Sequence, residues 1–322
     1  MSLEIPQFVL NNRIKIPSVG LGCWMGSPGC GERAYAMVQK AIKYGYRHFD
    51  TAAGYGNEEQ VGKAIKDSGV PRNEFYITTK LPNLAHNQVQ EAFAESLRKL
   101  DCEYLDLYLM HWPQASIDGR VLASDESPTI IETWKEMEKL LDSGKVKSIG
   151  TSNFSIKTLQ TLLLHCSVVP AVNQVELHPF LPSVSLHNFC EEKRIQLTAY
   201  CPLGRPMGEQ LGPHNDPTII KLAEKLKVDP GQVLLSWGVQ KNIIVIPKTE
   251  NENRMKTNIT LVTLSREDME AVDKIHTEPG KHRSTLTYHD QSGRVFGWTY
   301  EQLGWDMGIV SQIRRPAHQT CN

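Results

Sequence analysis

The chain has 322 residues, 40% hydrophobic and 22% charged, with 35 Lys and Arg against 36 Asp and Glu for a net charge of −1. That length and composition describe a globular protein able to bury a large core, and a balance so near neutrality gives no long-range field to draw in nucleic acid or an anionic membrane. Seven cysteines without a C-x-x-C pair speak against a disulfide framework or a zinc knuckle and lead to an expectation of reduced thiols in a cytoplasmic protein.

The opening stretch MSLEIPQFVLNNR has no basic region followed by an apolar core, and no run of 18 apolar residues occurs anywhere. The sequons at Asn153 and Asn258 therefore read as chance matches. FVLNNRIKI (8–16) reads as a hairpin. PSVGLG is then a short apolar run, followed by a helix whose Ala34, Met37, Val38, Ala41 and Ile42 fall on one face and which Gly45 ends. YRHF and FYITT are the next strands, and a helix with Val89, Ala92, Phe93, Ser96, Leu97 and Leu100 on one face leads to YLDLYLM. A helix around Ile130, Trp134, Met137 and Leu141 comes next, then KVKSIGT, a helix near Ile156 to Leu164, AVNQVEL, a helix near Ser183 to Glu192, and QLTAY. Helices from about Asp216 to Val239 precede the last run, IIVIP.

Eight strand candidates alternating with helices predict an α/β fold, a (β/α)₈ barrel in one domain over 1–322, with the hairpin plugging its bottom. A doubly wound open sheet is the alternative. In a barrel the active site lies at the carboxyl ends of the strands, so polar residues there are the ones to inspect. They are Asp50, Lys80, His111, Ser152 with Asn153, Gln174, Tyr200 and Lys248, one set to each strand from the second to the eighth. Any one of them reads equally well as a solvated strand end or a turn cap. Together with Tyr55, a closed barrel would gather a carboxylate, an ammonium, a phenol and an imidazole in one cleft, where each changes the others' proton affinity. A cation beside a phenol favours its ionisation, and Asp50 would keep a buried Lys80 charged, which suits proton transfer to a carbonyl oxygen.

At these residues the chain resembles the aldo-keto reductase family, from GLGCW (20–24) to IPKTENENR (246–254), most specifically in GYRHFDTAAGYGNEEQVG (45–62). The resemblance implies that Tyr55 is the general acid, that Lys80 and Asp50 tune it, and that His111 orients the substrate. TSNF matches a second family motif at Ser152 and Asn153, with Thr151 where an aliphatic residue is usual, a change expected to be local.

GLGCWMG lacks the glycine that a dinucleotide fingerprint needs at Met25, so NADPH enters through the resemblance alone. It implies that Tyr200 stacks on the nicotinamide, that Ser152, Asn153 and Gln174 hold its carboxamide, and that Pro202, Leu203 and Gly204, after Cys201, cover the pyrophosphate. Lys248, Thr249 and Arg254 fall at the 2′-phosphate, Ile246 is a further cofactor contact, and Asn258 lies near the adenine, with Thr257 where Glu is common. On its own KTENENRMK reads as a solvated charged turn.

Trp24 and Trp112 would wall a substrate pocket, and His111 would reach into it. Glu176 and His178 alternate on one strand but form no H-x-H or H-E-x-x-H motif, so no metal is expected. The segment 277–322 breaks the βα rhythm and reads as a long loop with a helical turn or two, including Trp298, Trp305 and a basic end at Arg314 and Arg315. The resemblance implies that this tail sets substrate choice. The activity implied is NADPH-dependent reduction of small aldehydes, aldoses or glyceraldehyde, by a monomer. A non-catalytic cofactor-sensing or structural member, a steroid- or prostaglandin-active reductase and a metal-dependent hydrolase are the other readings.

Overall fold

The computed structural model describes residues 5–305. Eight parallel strands follow one another around a sheet: β1 (Leu21–Gly22), β2 (His48–Asp50), β3 (Tyr76–Leu81), β4 (Leu107–Met110), β5 (Ile149–Ser152), β6 (Val172–Glu176), β7 (Gln196–Tyr200) and β8 (Ile244–Val245). The first and last edges meet. Val19 bridges Val245 in parallel, Gly20 donates to the Val245 carbonyl at 2.9 Å, and Gly22 donates to the Pro247 carbonyl at 3.2 Å. The barrel is thereby closed, and the open-sheet alternative falls. Closure needs a bare α-carbon at position 22, because a Cβ there would stand 2.9 Å from the Ile246 carbonyl oxygen.

The outer ring comprises α1 (Gly31–Lys43), α2 (Glu58–Asp67), α3 (Val89–Leu100), α4 (Ile130–Asp142), α5 (Ile156–Leu163), α6 (Val184–Glu192), α7 (Pro217–Leu226), α8 (Pro230–Gln240), α9 (Glu252–Asn258) and α10 (Arg266–Lys274). The α1 face that buries Ala34, Met37, Val38, Ala41 and Ile42 is the one its spacing predicts. The segment 216–239 is two helices, because Lys227 turns left-handed and Asp229-Pro230 caps a new start. Three helices have no counterpart in the sequence reading. In α2 the apolar face is only Val61, Gly62, Ala64 and Ile65, too small a signal to stand out, and Gly62 lets the helix press against Leu100. In α9 the charged stretch hides a helix that the Asn251 side chain caps at the Arg254 amide. The third, α10, begins with the capping residue Ser265 and buries little apolar surface. A small hairpin, Ser116–Ile117 with Arg120–Val121, also has no counterpart there.

Side chains alternate across each strand, which sorts the barrel into two regions. Ile77, Leu81, Tyr108, Met110, Val175, Leu197 and Ala199 face the helices. Tyr76, Leu107, Leu109, Val172, Ile244 and Ile246 face the axis, where Leu10 and Ile16 of the antiparallel hairpin Gln7–Val9 and Lys15–Pro17 fill the lower end as expected. Counting on by two along each strand puts Trp24, Asp50, Lys80, His111, Ser152, Gln174, Tyr200 and Lys248 on the axis side of the upper rim.

Past the barrel, the tail forms a two-stranded hairpin, Arg294–Val295 with Trp298–Thr299, and one helical turn, Tyr300–Leu303. Arg314 and Arg315 lie outside the described residues.

Candidate active site

Strand β2 delivers Asp50 to the rim, and the chain then turns through a short 3₁₀ segment, Ala53–Tyr55, that places the Tyr55 phenol back over the axis. Lys80, next to the end of β3, is fully buried. Its Nζ donates to Asp50 Oδ1 at 2.5 Å, to the Thr51 carbonyl at 2.9 Å and to the Tyr55 hydroxyl at 3.3 Å, which uses all three ammonium hydrogens. The second carboxylate oxygen of Asp50 accepts from Gln174 Nε2 at 2.6 Å. Thr51 is fixed in turn, its hydroxyl donating to Asn57, whose amide donates to the Cys23 carbonyl. Sequence reasoning misses Asn57: its role is to pin a loop, and no periodicity marks such a residue.

His111 follows β4, with its ring edge-on to Tyr55 at a centroid distance of 5.7 Å. Trp24 lies across the other side of Tyr55 at 5.1 Å. All four titratable groups and both predicted indoles thus meet at one place, at the floor of a cavity of about 900 Å³ that the Trp24, Tyr55, His111 and Trp112 side chains line.

Burial and charge act against each other here. Burial alone would push the Lys80 ammonium toward losing its proton, but the Asp50 charge, then Tyr55, outweigh it and hold Lys80 above the usual range. Burial also raises the Tyr55 phenol, and the pull of Lys80 in the opposite direction does not overcome it. The cation therefore offsets the cost of burying a phenol rather than producing a net acidic one. Burial, reinforced by Lys80, holds His111 well below its usual range, so its imidazole is neutral.

On the far side of the axis, Asn153 adopts a left-handed backbone (φ 63°) that turns its amide inward, donating to the His111 carbonyl at 3.0 Å and accepting from the Tyr200 hydroxyl at 2.7 Å. Ser152 donates to the Gln174 carbonyl at 2.9 Å. Ser152, Asn153, Gln174 and Tyr200 all line the cavity. So do Pro202, Leu203, Gly204, Ile246 and Lys248. Thr151, the departure from the usual aliphatic residue, is buried and donates to Asn173 at 3.1 Å, so the change is local.

Thr249, Arg254 and Asn258 stand apart from the cavity lining, on the segment between β8 and the end of α9. Thr249 accepts from the Asn251 amide, and Arg254 is exposed. A Cβ added at Gly231 would lie 3.7 Å from Leu203 and 3.8 Å from Asn258, so Leu203 and Asn258 flank the same bare stretch of backbone at the start of α8. Asn258 is buried, with an Nδ2 that has no hydrogen-bond partner. Lys248 donates to Glu250 at 2.5 Å, and Glu250 also receives the Arg33 guanidinium at 2.7 Å; Arg33 first, then Lys248, hold its carboxyl at about 2. Lys248 thus has an anionic partner that the sequence reading does not give it.

Four tail residues complete the cavity wall that the sequence does not single out: Leu286, Thr287, Tyr288 and Phe296. Tyr288 and Phe296 flank Trp112 at 5.4 and 5.0 Å, both edge-on. The tail has neither strand nor helix period to mark them.

The model of the aldo/keto reductase family matches residues 18–277. The chain belongs to that family. Among its relatives, the glycerol 2-dehydrogenase (NADP(+)) of Saccharomyces cerevisiae is 43% identical over 293 residues, covering 85% of this chain and 92% of that protein. The D-galacturonate reductase of Hypocrea jecorina is 38% identical over 319 residues, covering 94% and 97%. A crystal structure of an aldo/keto reductase from Brucella melitensis superposes with a TM-score of 0.75 at 38% identity, covering 84% of this chain and 99% of that one. Family membership makes the reductase an oxidoreductase.

The buried ion pair of this reductase can be tested by stability. Asp50→Asn leaves the Lys80 ammonium buried without its counter-charge and is expected to cost about 3–5 kcal/mol in denaturant unfolding. The double variant Asp50→Asn with Lys80→Met is expected to regain most of that loss. Additive losses in the two single variants would show that the groups do not stabilise one another.

Proposed function

We propose that this chain is an NADPH-dependent reductase of aldehydes and ketones, small aldehydes, aldoses and glyceraldehyde among them, with Tyr55 as general acid. One observation carries the reading: Lys80 Nζ donates at once to Asp50 and to the Tyr55 hydroxyl at the cavity floor. A reducible carbonyl oxygen within reach of Tyr55 would meet a hydroxyl whose other side faces a cation held in place by Asp50 and the Thr51 carbonyl. As negative charge develops on that oxygen, the Tyr55 hydrogen moves to it and the phenolate left behind sits against Lys80, which lowers the barrier electrostatically.

The neutral His111 is suited to direct the carbonyl oxygen, since an uncharged imidazole offers one N–H without competing for Lys80's counter-charge. Trp24 and Trp112 would exclude water from the reacting carbon. When bound, the dinucleotide supplies the hydride. Tyr200, Ser152, Asn153 and Gln174 would hold its nicotinamide end and Pro202, Leu203 and Gly204 its middle. Lys248, Thr249 and Arg254 would receive the 2′-phosphate, with Ile246 as a further apolar contact to the cofactor in the cavity. Asn258 has an unpartnered buried amide nitrogen to offer a ring nitrogen of the adenine. The relatives named for NADP(+) and for sugar-acid reduction support the cofactor and substrate classes. We further propose one barrel domain over 1–322, acting as a cytoplasmic monomer, with the segment 277–322 governing substrate choice. Among the described residues no helix is long and apolar enough to cross a membrane.

Tyr55→Phe is expected to lower kcat for NADPH oxidation with glyceraldehyde by about 10²–10⁴ while leaving NADPH affinity near that of the wild type. Equal rates in the two proteins would sink the assignment of Tyr55, and no turnover of any carbonyl by the wild type would point to a non-catalytic member. Because Lys248 already faces Glu250, Arg254 is the cation expected to distinguish the cofactors. Arg254→Ala should weaken NADPH by about tenfold or more and NADH little, whereas parallel losses would remove Arg254 from the phosphate site.

The proton affinities give a pH profile. Tyr55 is held above its usual value and keeps its proton to beyond pH 10, Lys80 stays charged over the same range, and His111, held low, gains a proton only well below pH 6.5. The reductive kcat should therefore be level from about pH 6 to 9. A limb centred near the ordinary imidazole value would show His111 to be charged in the working enzyme.

A further inference from the structure

Glu176 and His178, the pair considered as metal ligands, are used for something else. Glu176 ends β6 two residues past Gln174, on the same inward face, and is buried. Its Oε1 accepts from the Thr285 backbone N–H at 2.7 Å, from the Thr285 hydroxyl at 3.1 Å and from His178 Nε2 at 3.0 Å, and its Oε2 accepts from the Ser284 hydroxyl at 2.5 Å. A carboxylate only accepts, so Nε2 carries the imidazole hydrogen. Three of these four donors belong to the tail. Ser284 and Thr285 are themselves buried, and the Ser284 oxygen also accepts from the Leu286 backbone N–H at 3.0 Å. The chain of bonds runs from the barrel strand through Ser284 to the first tail residue that lines the cavity.

The cavity wall begins at that residue. Leu286, Thr287 and Tyr288 line it, and the Tyr288 ring packs edge-on against Trp112 at 5.4 Å and against Tyr200 at 6.4 Å. Between the latch at Thr285 and the ring of Tyr288 lie only two residues, too few to absorb a shift of the latch without moving the wall. We propose that Glu176 is a positioning residue for the substrate: its carboxylate clamps Ser284 and Thr285 to the end of β6 and so sets where Leu286 to Tyr288 meet the substituent of the bound carbonyl compound. Glu176 touches neither the proposed acid nor the reacting carbon, so it acts on fit rather than on proton transfer. The inference rests on the carbonyl-reductase reading of the cavity.

The experiment compares wild type, Glu176→Gln and Thr285→Val by amide hydrogen exchange over residues 284–288 and by steady-state kinetics with glyceraldehyde and with a bulky aryl aldehyde such as 4-nitrobenzaldehyde. NADPH affinity is followed through quenching of protein fluorescence. Glu176→Gln places an NH₂ among groups that donate, and is expected to speed exchange at 284–288 by about tenfold or more. It should raise KM for the aryl aldehyde by about tenfold, with less than about a threefold change for glyceraldehyde and NADPH affinity within about twofold. Thr285→Val, which keeps the backbone N–H, should move both readouts the same way by less, and it serves as the test if Glu176→Gln fails to fold. Unchanged exchange overturns the clamp. Faster exchange with both KM values unchanged, or a parallel loss of NADPH affinity, overturns the positioning role. Exchange reads the clamp without turnover, so a wild type inactive on every carbonyl would overturn the proposed reduction separately.

Discussion

Everything at the upper rim of the barrel depends on Lys80 keeping its charge in a place that water does not reach. Desolvating an ammonium costs several kcal/mol, and a side chain as fully buried as this one would otherwise sit there neutral. The chain meets that cost with Asp50 and the Thr51 carbonyl, both from one strand end, and it holds Asp50 in turn with Gln174 from across the axis. The Lys80 ammonium then has a single remaining hydrogen, and it points at Tyr55. Asp50, Lys80 and Gln174 lie on three different strands, and the closed barrel brings them to one point.

The alternation of side chains explains how much of this was legible. On β3, β4, β6 and β8 the candidate site residues Lys80, His111, Gln174 and Lys248 have the same parity as the barrel-axis residues Tyr76, Leu109, Val172 and Ile246 below them, and each comes one or two steps later, so a strand correctly found points to its own candidate residue. Tyr55 does not follow this rule. It reaches the axis through a 3₁₀ turn, and only the motif around it gives it away. Helix α2, with its small apolar face, and helix α9, hidden in charged residues, were illegible because their signals are caps and close approaches rather than periodicity. Illegible for another reason was the sharing of Glu250 by Lys248 and Arg33, the latter more than 200 residues away in sequence.

The same contrast holds for proton affinities. Reading the residues as a set leads to the idea that a neighbouring cation makes Tyr55 a better acid. In the folded chain the larger effect on Tyr55 is burial, which works the other way. Lys80 is thus better described as what allows a phenolate to exist there at all during the proposed reaction, since without a cation in contact the ionised form would be far costlier than in water.

Barrel and tail divide the work along a visible seam. Asp50, Lys80 and His111 are set by strand ends, whose backbone hydrogen bonds lie inside a closed sheet. One wall of the cavity is set by a segment with two short strands and one helical turn of its own, so its shape has to be borrowed from contacts with the barrel. Those contacts combine apolar packing of Val295, Trp298 and Leu303 with Trp112 and hydrogen bonds that include Glu176 to Ser284 and Thr285, Gln114 to the Val295 carbonyl at 2.8 Å, the Trp298 indole to the Leu122 carbonyl at 2.7 Å and Ser155 to the Leu303 carbonyl at 2.6 Å. Phe296 and Gly297 turn the tail hairpin with positive φ at both positions, a conformation that glycine takes freely and phenylalanine does not, and Phe296 nonetheless packs on Trp112. A wall fastened by side-chain contacts rather than by the sheet's own ladder can shift while the strand ends keep their places. The shape of the cavity can therefore change in such a barrel while the groups at its floor stay in place.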